Sequence, residues 1–250
     1  MVNLGLMRIQ TPRLAEFWAG ARDELPILVG VVPFGMIYGV LALGAGLAPG
    51  IAQAMSSVVF AGSAQFIIVQ LVGVSAPVWV MVLTAFIVNL RHALYSASVA
   101  PYMQHLPWKW KLSLSYLLTD EAYAVTITHY TLSLSPASEK KEPGGRADQH
   151  WYFLGAGLAL WTSWQLSTAV GIFLGAQVPP SWSLDFTLAL TFIALVVPNL
   201  KDRPSVAASL SAGLVAIVAN SLPYKLGLIA AALTGILVGM WSESKWSGSR

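Results

Sequence analysis

Apolar runs of about 18 or more residues, each long enough to cross a hydrocarbon layer of roughly 30 Å, follow one another along almost the whole of this 250-residue chain. Only short polar gaps separate them. A bilayer interior offers no water to backbone amides and carbonyls, so such runs must satisfy their hydrogen bonds internally, as helices do. The composition agrees: 56% of residues are hydrophobic and 10% charged, mean hydropathy is +0.66, and a soluble domain carries about 25% charged residues. The expected fold is all-α, a polytopic transmembrane helical bundle. The runs place spans near 25–46, 52–72, 77–102, 112–133, 151–176, 183–200, 205–221 and 223–241. Asn220-Ser221-Leu222-Pro223 reads as the turn of a tight hairpin between the last two; a kink there would leave seven spans instead of eight.

The absence of cysteine removes disulfides and thiolate chemistry. Although net charge is +3, the 14 Lys and Arg are scattered at span ends and form no basic stripe with interleaved aromatics, so nucleic acid is not an expected partner. Residues 1–24 mix Arg8, Arg13 and Arg22 with Glu16, Asp23 and Glu24, unlike a cleavable signal. Thr11-Pro12 suits a helix start, with Leu14, Phe17 and Trp18 on an interfacial face; a disordered tail is the alternative. The expected organisation is this N-terminal segment, a first transmembrane half over 25–133, a cytoplasmic loop over 134–150, a second half over 151–241 and a cytoplasmic tail over 242–250. With both termini inside a bacterial inner membrane, Arg8, Arg13, Arg22, Lys140, Lys141, Arg146, Lys201, Arg203, Lys245 and Arg250 are cytoplasmic. Lys109, Lys111 and Lys225 then fall on the other side, a distribution that obeys the positive-inside rule. A faint internal echo, Asn89-Leu90-Arg91 against Asn199-Leu200-Lys201, suggests a repeat.

Function is sought where polarity interrupts the apolar chain, because a charge at a span centre costs roughly 2.5–3.5 kcal/mol on insertion scales. The third span carries Asn89, Arg91, His92 and Tyr95 midway along its length, and the fourth carries Asp120 and Glu121 about two turns into an apolar stretch. Arg91 is the nearest cation for either carboxylate, so one pair pins two helices while the other carboxylate remains for a substrate ammonium or a proton. In the second span Phe60-Ala61-Gly62-Ser63-Ala64-Gln65-Phe66 reads either as a small-residue packing seam or as a broken helix. In the second reading, free backbone groups around Gly62 and Ser63, with Gln65, bind a zwitterion between Phe60 and Phe66. Pro33-Phe34-Gly35 is a kink or a small-residue contact. The second half is blander: Trp161 and Trp164 read as interface anchors, with Gln165, Asp185, Pro198 and Asn199 its other marked residues.

These motifs, with Ala100-Pro101-Tyr102 and Leu118-Thr119-Asp120-Glu121, together resemble the AzlC family over about residues 16–130. The chain departs from that pattern mildly, with Ala48 where Ser is common and Tyr123 where Phe is common. The resemblance implies secondary export of valine, leucine or isoleucine, with methionine a further candidate, together with a small AzlD-type membrane subunit. Membrane lipid and a hydrophobic amino acid complete the expected partners, with a higher oligomer left open. No cofactor or metal is expected. A scaffold subunit and an intramembrane hydrolase are the rival readings; the latter lacks a His-Glu-x-x-His helix and a Gly-x-Ser-x-Gly elbow.

Overall fold

The computed structural model describes residues 12–133, 145–177, 200 and 202–247, and every regular element among them is a helix. The first, α1 (Pro12–Gly44), is one uninterrupted helix of 33 residues. The interfacial segment and the first span expected separately are therefore a single element. Pro12 opens it, where a missing N–H is no loss, and Pro26 and Pro33 are carried inside it. Its end is a Schellman cap: Leu47 N–H bonds Ala42 O at 3.0 Å, Gly46 N–H bonds Leu43 O at 2.9 Å, and Gly46 takes the left-handed φ of 91°.

The next three apolar stretches each contain a break. They form α2 (Pro49–Val58) and α3 (Gly62–Gly73), then α4 (Val78–Asn89) and α5 (Arg91–Met103), then α6 (Trp108–Tyr116) and α7 (Asp120–Ser133). Long helices follow in α8 (Gly145–Gly175), α9 (Arg203–Val218) and α10 (Leu226–Ser247). Since α8 begins at Gly145, the end of the expected 134–150 loop is helical; 134–144 lie outside the described residues. So does the expected span 183–200, apart from Leu200, and with it Asp185, Pro198 and Asn199.

Two of the stretches read as straight spans fold back on themselves. In the first, Tyr38 of α1 donates to Ala52 O of α2 at 2.8 Å, the Tyr38 and Phe66 rings meet at 6.2 Å, and Gly73 at the end of α3 lies beside Ala45. The chain thus leaves the C-terminal end of α1 through α2 and comes back to it through α3. In the second, Trp110 of α6 sits 4.6 Å from the His150 ring and 5.0 Å from Trp151. At the far end of α7, Tyr130 donates to Gln149 O at 2.9 Å and His129 stacks on Tyr152 at 3.7 Å. Both open ends of the α6–α7 hairpin thus rest on the first turns of α8. Its tip, Leu117-Leu118-Thr119, reaches farther along: Leu117 packs against Gly157 and Trp161 Nε1 donates to Tyr116 Oη at 2.7 Å.

The long helices are consistent with this folding back. The Phe17 carbonyl lies against Gly155, the Tyr152 carbonyl against Gly20, and Ser167 against Gly35. Numbers rise together, so α1 and α8 are parallel, and an odd number of crossings must separate them. Pro33-Phe34-Gly35 serves as a packing contact within an unbroken helix. By contrast Ala208 meets Gly239, Ala212 meets Gly235 and Ala219 meets Gly227, so α9 and α10 form the expected antiparallel hairpin, closed by small residues that allow close approach.

The residues sort into two compact units. One comprises the chain up to Met36, Gln53–Gly62 and Leu90–Val170; the other comprises Ile37–Ala52, Ser63–Asn89 and the chain from Gly171 onward. In the first, Tyr130, Tyr152, Phe153 and Leu160 are buried. The second buries Tyr38, Phe66, Leu71 and Val80, with Ile67, Met81 and Leu226 packed on Leu71, Ala76 and Val80. Outward positions stay apolar: Val29, Leu94, Leu214, Ile217, Leu237 and Met240 are all more than 60% exposed. That surface is stable against lipid tails and not against water.

Candidate functional site

The expected polar residues gather at the helix breaks. Each break frees the first amides of the following helix, and those amides carry the positive end of its dipole. Arg91 opens α5, while Asp120 and Glu121 open α7, so the two carboxylates stand at a helix start and not two turns inside one. The sequence favours this start, because Thr119 caps the helix by accepting the Ala122 N–H at 3.4 Å and acidic residues in a first turn are stabilised by the dipole.

Within the first unit, Arg91 Nη1 pairs with Asp120 Oδ2 at 2.5 Å, with the side chains 33% and 37% exposed. Asp120 is therefore the partner of Arg91. Its second oxygen, Oδ1, is buried and accepts no hydrogen bond among the described residues. Tyr95 reaches toward the Asp120 carboxylate, stacks on Tyr123 at 4.5 Å and meets the His92 ring at 6.0 Å. Tyr123 in turn donates to Ser98 Oγ at 3.0 Å, and His92 Nε2 is buried without a partner among the described residues. Glu121 is within electrostatic reach of both Asp120 and Arg91. The cluster thus offers a guanidinium held by Asp120 and two carboxylates at one helix start.

Phe60 and Gly62 lie in the same unit, at the tip of the α2–α3 hairpin. The Phe60 ring lies 6.0 Å from that of Tyr116, the Tyr116 hydroxyl donates to the Ser57 carbonyl, and the Trp164 indole covers Gly62. Below the tip is a polar network that the sequence did not bring out. Gln53 Nε2 and Ser57 Oγ donate to Gln165 Oε1 at 2.8 and 2.9 Å, Gln165 Nε2 donates to Ser56 O at 3.1 Å, and Ser56 Oγ contacts Thr168 Oγ1 at 3.0 Å. Trp164 is only 7% exposed, so it is a packing residue of the site and not an interface anchor. A Gln deep in an apolar stretch was the available signal.

The other expected residues, Ser63, Gln65, Phe66 and Asn89, belong to the second unit. Ser63 and Phe66 line a cavity of about 320 Å³ with Gln70, Thr84, Ile87, Val88 and Leu228. This is the size and chemistry of a small-solute pocket, apolar with a few hydroxyl and amide anchors. Gln65 is fully buried, and Asn89 Oδ1 is buried with no hydrogen bond among the described residues. A second cavity of about 270 Å³ lies within the first unit, between Ser96, Met103, Gln104, Lys111, Ser115 and Phe153.

Comparison with known proteins bears on what this arrangement serves. The family described as AzlC protein matches residues 26–178. The chain is 25% identical to the inner membrane protein YgaZ of Escherichia coli K12, covering 92% of this chain and 94% of that one. It is 30% identical to an uncharacterized membrane protein of Archaeoglobus fulgidus, covering 91% and 95%. It is 27% identical to the branched-chain amino acid transport protein AzlC of Bacillus subtilis, covering 80% and 76%. No solved structure matches the chain. The family match extends over more than half the sequence and contains all three helix breaks, so this membrane protein belongs to the AzlC family.

Proposed function

We propose that the protein is a secondary transporter that exports branched-chain aliphatic amino acids, valine, leucine and isoleucine with methionine as a further substrate, across the inner membrane. The observation that carries this reading is the Arg91–Asp120–Glu121 cluster at two helix starts inside apolar stretches. A zwitterion needs a cationic and an anionic partner close together, and α-amino acids supply both charges on one carbon. The substrate carboxylate meets Arg91, its ammonium meets Asp120 or Glu121, and its side chain takes an apolar pocket. Such a pocket separates aliphatic chains by only about 1–3 kcal/mol per methylene, which favours overlapping specificity.

The name of the Bacillus subtilis relative supports the substrate class. A small AzlD-type subunit is the proposed partner. Both termini are proposed to be cytoplasmic, a topology supported by the α6–α7 hairpin. Lys109 and Lys111 lie at the open end of that hairpin, where Trp110 meets His150 and Trp151. Arg13 pairs with Asp148 at the same end, at 3.1 Å. These lysines then join the cytoplasmic set, which strengthens the positive-inside bias.

The test is efflux from cells lacking their own exporter, loaded with a valine-containing dipeptide and carrying the chain with and without the small-subunit gene. Wild type should lower internal valine. Arg91→Ala and Asp120→Asn, at equal membrane abundance, should not. Wild-type efflux from either variant would remove the cluster from the substrate path.

A further inference from the structure

Trp108-Lys109-Trp110-Lys111 opens α6 just past the end of the 77–102 apolar stretch, at the level of lipid headgroups. Tryptophan and lysine favour that level, the one by its amphipathic ring and the other by an apolar stem with a charged tip. The two tryptophans divide: Trp110 packs on His150 and Trp151 of α8, while Trp108 is 68% exposed. The two lysines divide as well, because residues two apart on a helix point about 200° from one another. Lys111 lies on the side of α5 and donates to Gln104 O at 3.1 Å, a bond that leaves ammonium protons for a further acceptor. At the same end Asp148 is held by Arg13, and neither lysine pairs with a carboxylate among the described residues.

From Lys111 a groove of about 270 Å³ runs between α5 and α6 toward the middle of the membrane. Val99, Met103, Leu114 and Phe153 form its buried wall. Ser96, Gln104, Lys111 and Ser115 on its rim are exposed, so it opens sideways. From Gln104 back to Ser96 is eight residues, about 12 Å along α5 at 1.5 Å per residue. The cation thus stands at one end and the apolar wall fills the rest. A small free anion would pair with Lys111 and leave the wall uncovered, and a neutral lipid would cover the wall without neutralising the ammonium. A lipid of net negative charge satisfies both. We propose that this groove binds an anionic phospholipid, with its phosphate on Lys111 and one acyl chain lying along Val99, Met103 and Leu114 as far as Leu118. Leu118 is two residues before Asp120, so the bound chain supports the hairpin tip from which α7 starts.

Native mass spectrometry of the purified full-length chain in detergent reads the site without any transport assay. The probes are phosphatidylglycerol, phosphatidylcholine with the same acyl chains, and glycerol 3-phosphate. Phosphatidylglycerol should be retained in preference to phosphatidylcholine, and glycerol 3-phosphate should neither bind nor compete. Lys111→Gln should weaken retention about fivefold, the scale of one lysine at an anionic lipid surface, and Lys111→Arg should restore it. Lys109→Gln removes the same charge from the same end but outside the groove, and should leave retention unchanged. Ser115→Phe fills the groove and keeps both lysines; it should also lose the preference, and it provides the reading if Lys111→Gln does not fold. Equal retention of the two phospholipids, equal loss in the two lysine variants, or wild-type retention in Ser115→Phe overturns the site. Displacement by glycerol 3-phosphate, or a dimer of the chain that excludes lipid, overturns it as well.

Discussion

The Arg91–Asp120 pair can act as glue between α5 and α7, as part of a substrate site, or as both, and a double-mutant cycle separates these. Two unit charges 4 Å apart attract by about 4 kcal/mol at an effective dielectric constant of 20. The observed contact is short, 2.5 Å, but the side chains are 33% and 37% exposed, so water screens part of that attraction. A coupling energy of about 1–2 kcal/mol is the reasonable scale, between a surface pair and a buried one. Arg91→Gln leaves Asp120 without its cation partner, and Asp120→Asn leaves Arg91 with Glu121 alone. Each single change should therefore cost about 2–3 kcal/mol, and the double change clearly less than their sum. The assay is reversible denaturant unfolding of the purified protein in mixed micelles, followed by valine efflux for each variant. Additivity within about 0.5 kcal/mol would refute the pairing argument. A double variant that is stable yet exports valine like wild type would show that the pair is structural alone.

Further outcomes follow from the backbone. Ser75 holds the left-handed position of the α3 cap with φ 51°, so Ser75→Gly should stabilise the protein by about 1 kcal/mol in the same unfolding assay. Gly20 and Gly155 each lie against a carbonyl of the facing helix, so Gly155→Val should cost about 1–3 kcal/mol by forcing α1 and α8 apart. The chain lacks cysteine, which makes single-cysteine labelling clean: Lys109→Cys and Lys140→Cys should react with an impermeant maleimide from the same side of the membrane. Labelling from opposite sides would restore a straight span at 112–133 and remove the α6–α7 hairpin.

The helical membrane fold was legible because hydropathy measures whether a segment is stable in lipid, and these segments are. Hydropathy does not measure direction, so the 52–72 and 112–133 stretches read as crossings although each turns halfway. Local chemistry did carry the turn. Thr119 before Asp120-Glu121 is a helix start by its capping oxygen and its acidic first turn, and Gly62 marks the other tip, small enough to sit under Trp164. Gln53, Ser56 and Ser57 were missed for a different reason. They are ordinary in a membrane helix, and only the facing Gln165 and Thr168 make them a network.

Glu24 shows how one misplaced boundary hides a residue. Assigning the first 24 residues to the membrane surface made its charge unremarkable, since a glutamate there is solvated at no cost. A continuous α1 from Pro12 moves the same glutamate into the interior, where an isolated carboxylate is costly unless protonated or paired. Asp120 and Glu121 stand at the start of α7, in the middle of an apolar stretch. The free amides and dipole of that start stabilise Asp120 and Glu121, which a helix centre would not. The break in α6–α7 thus sets both carboxylates against a favourable helix dipole.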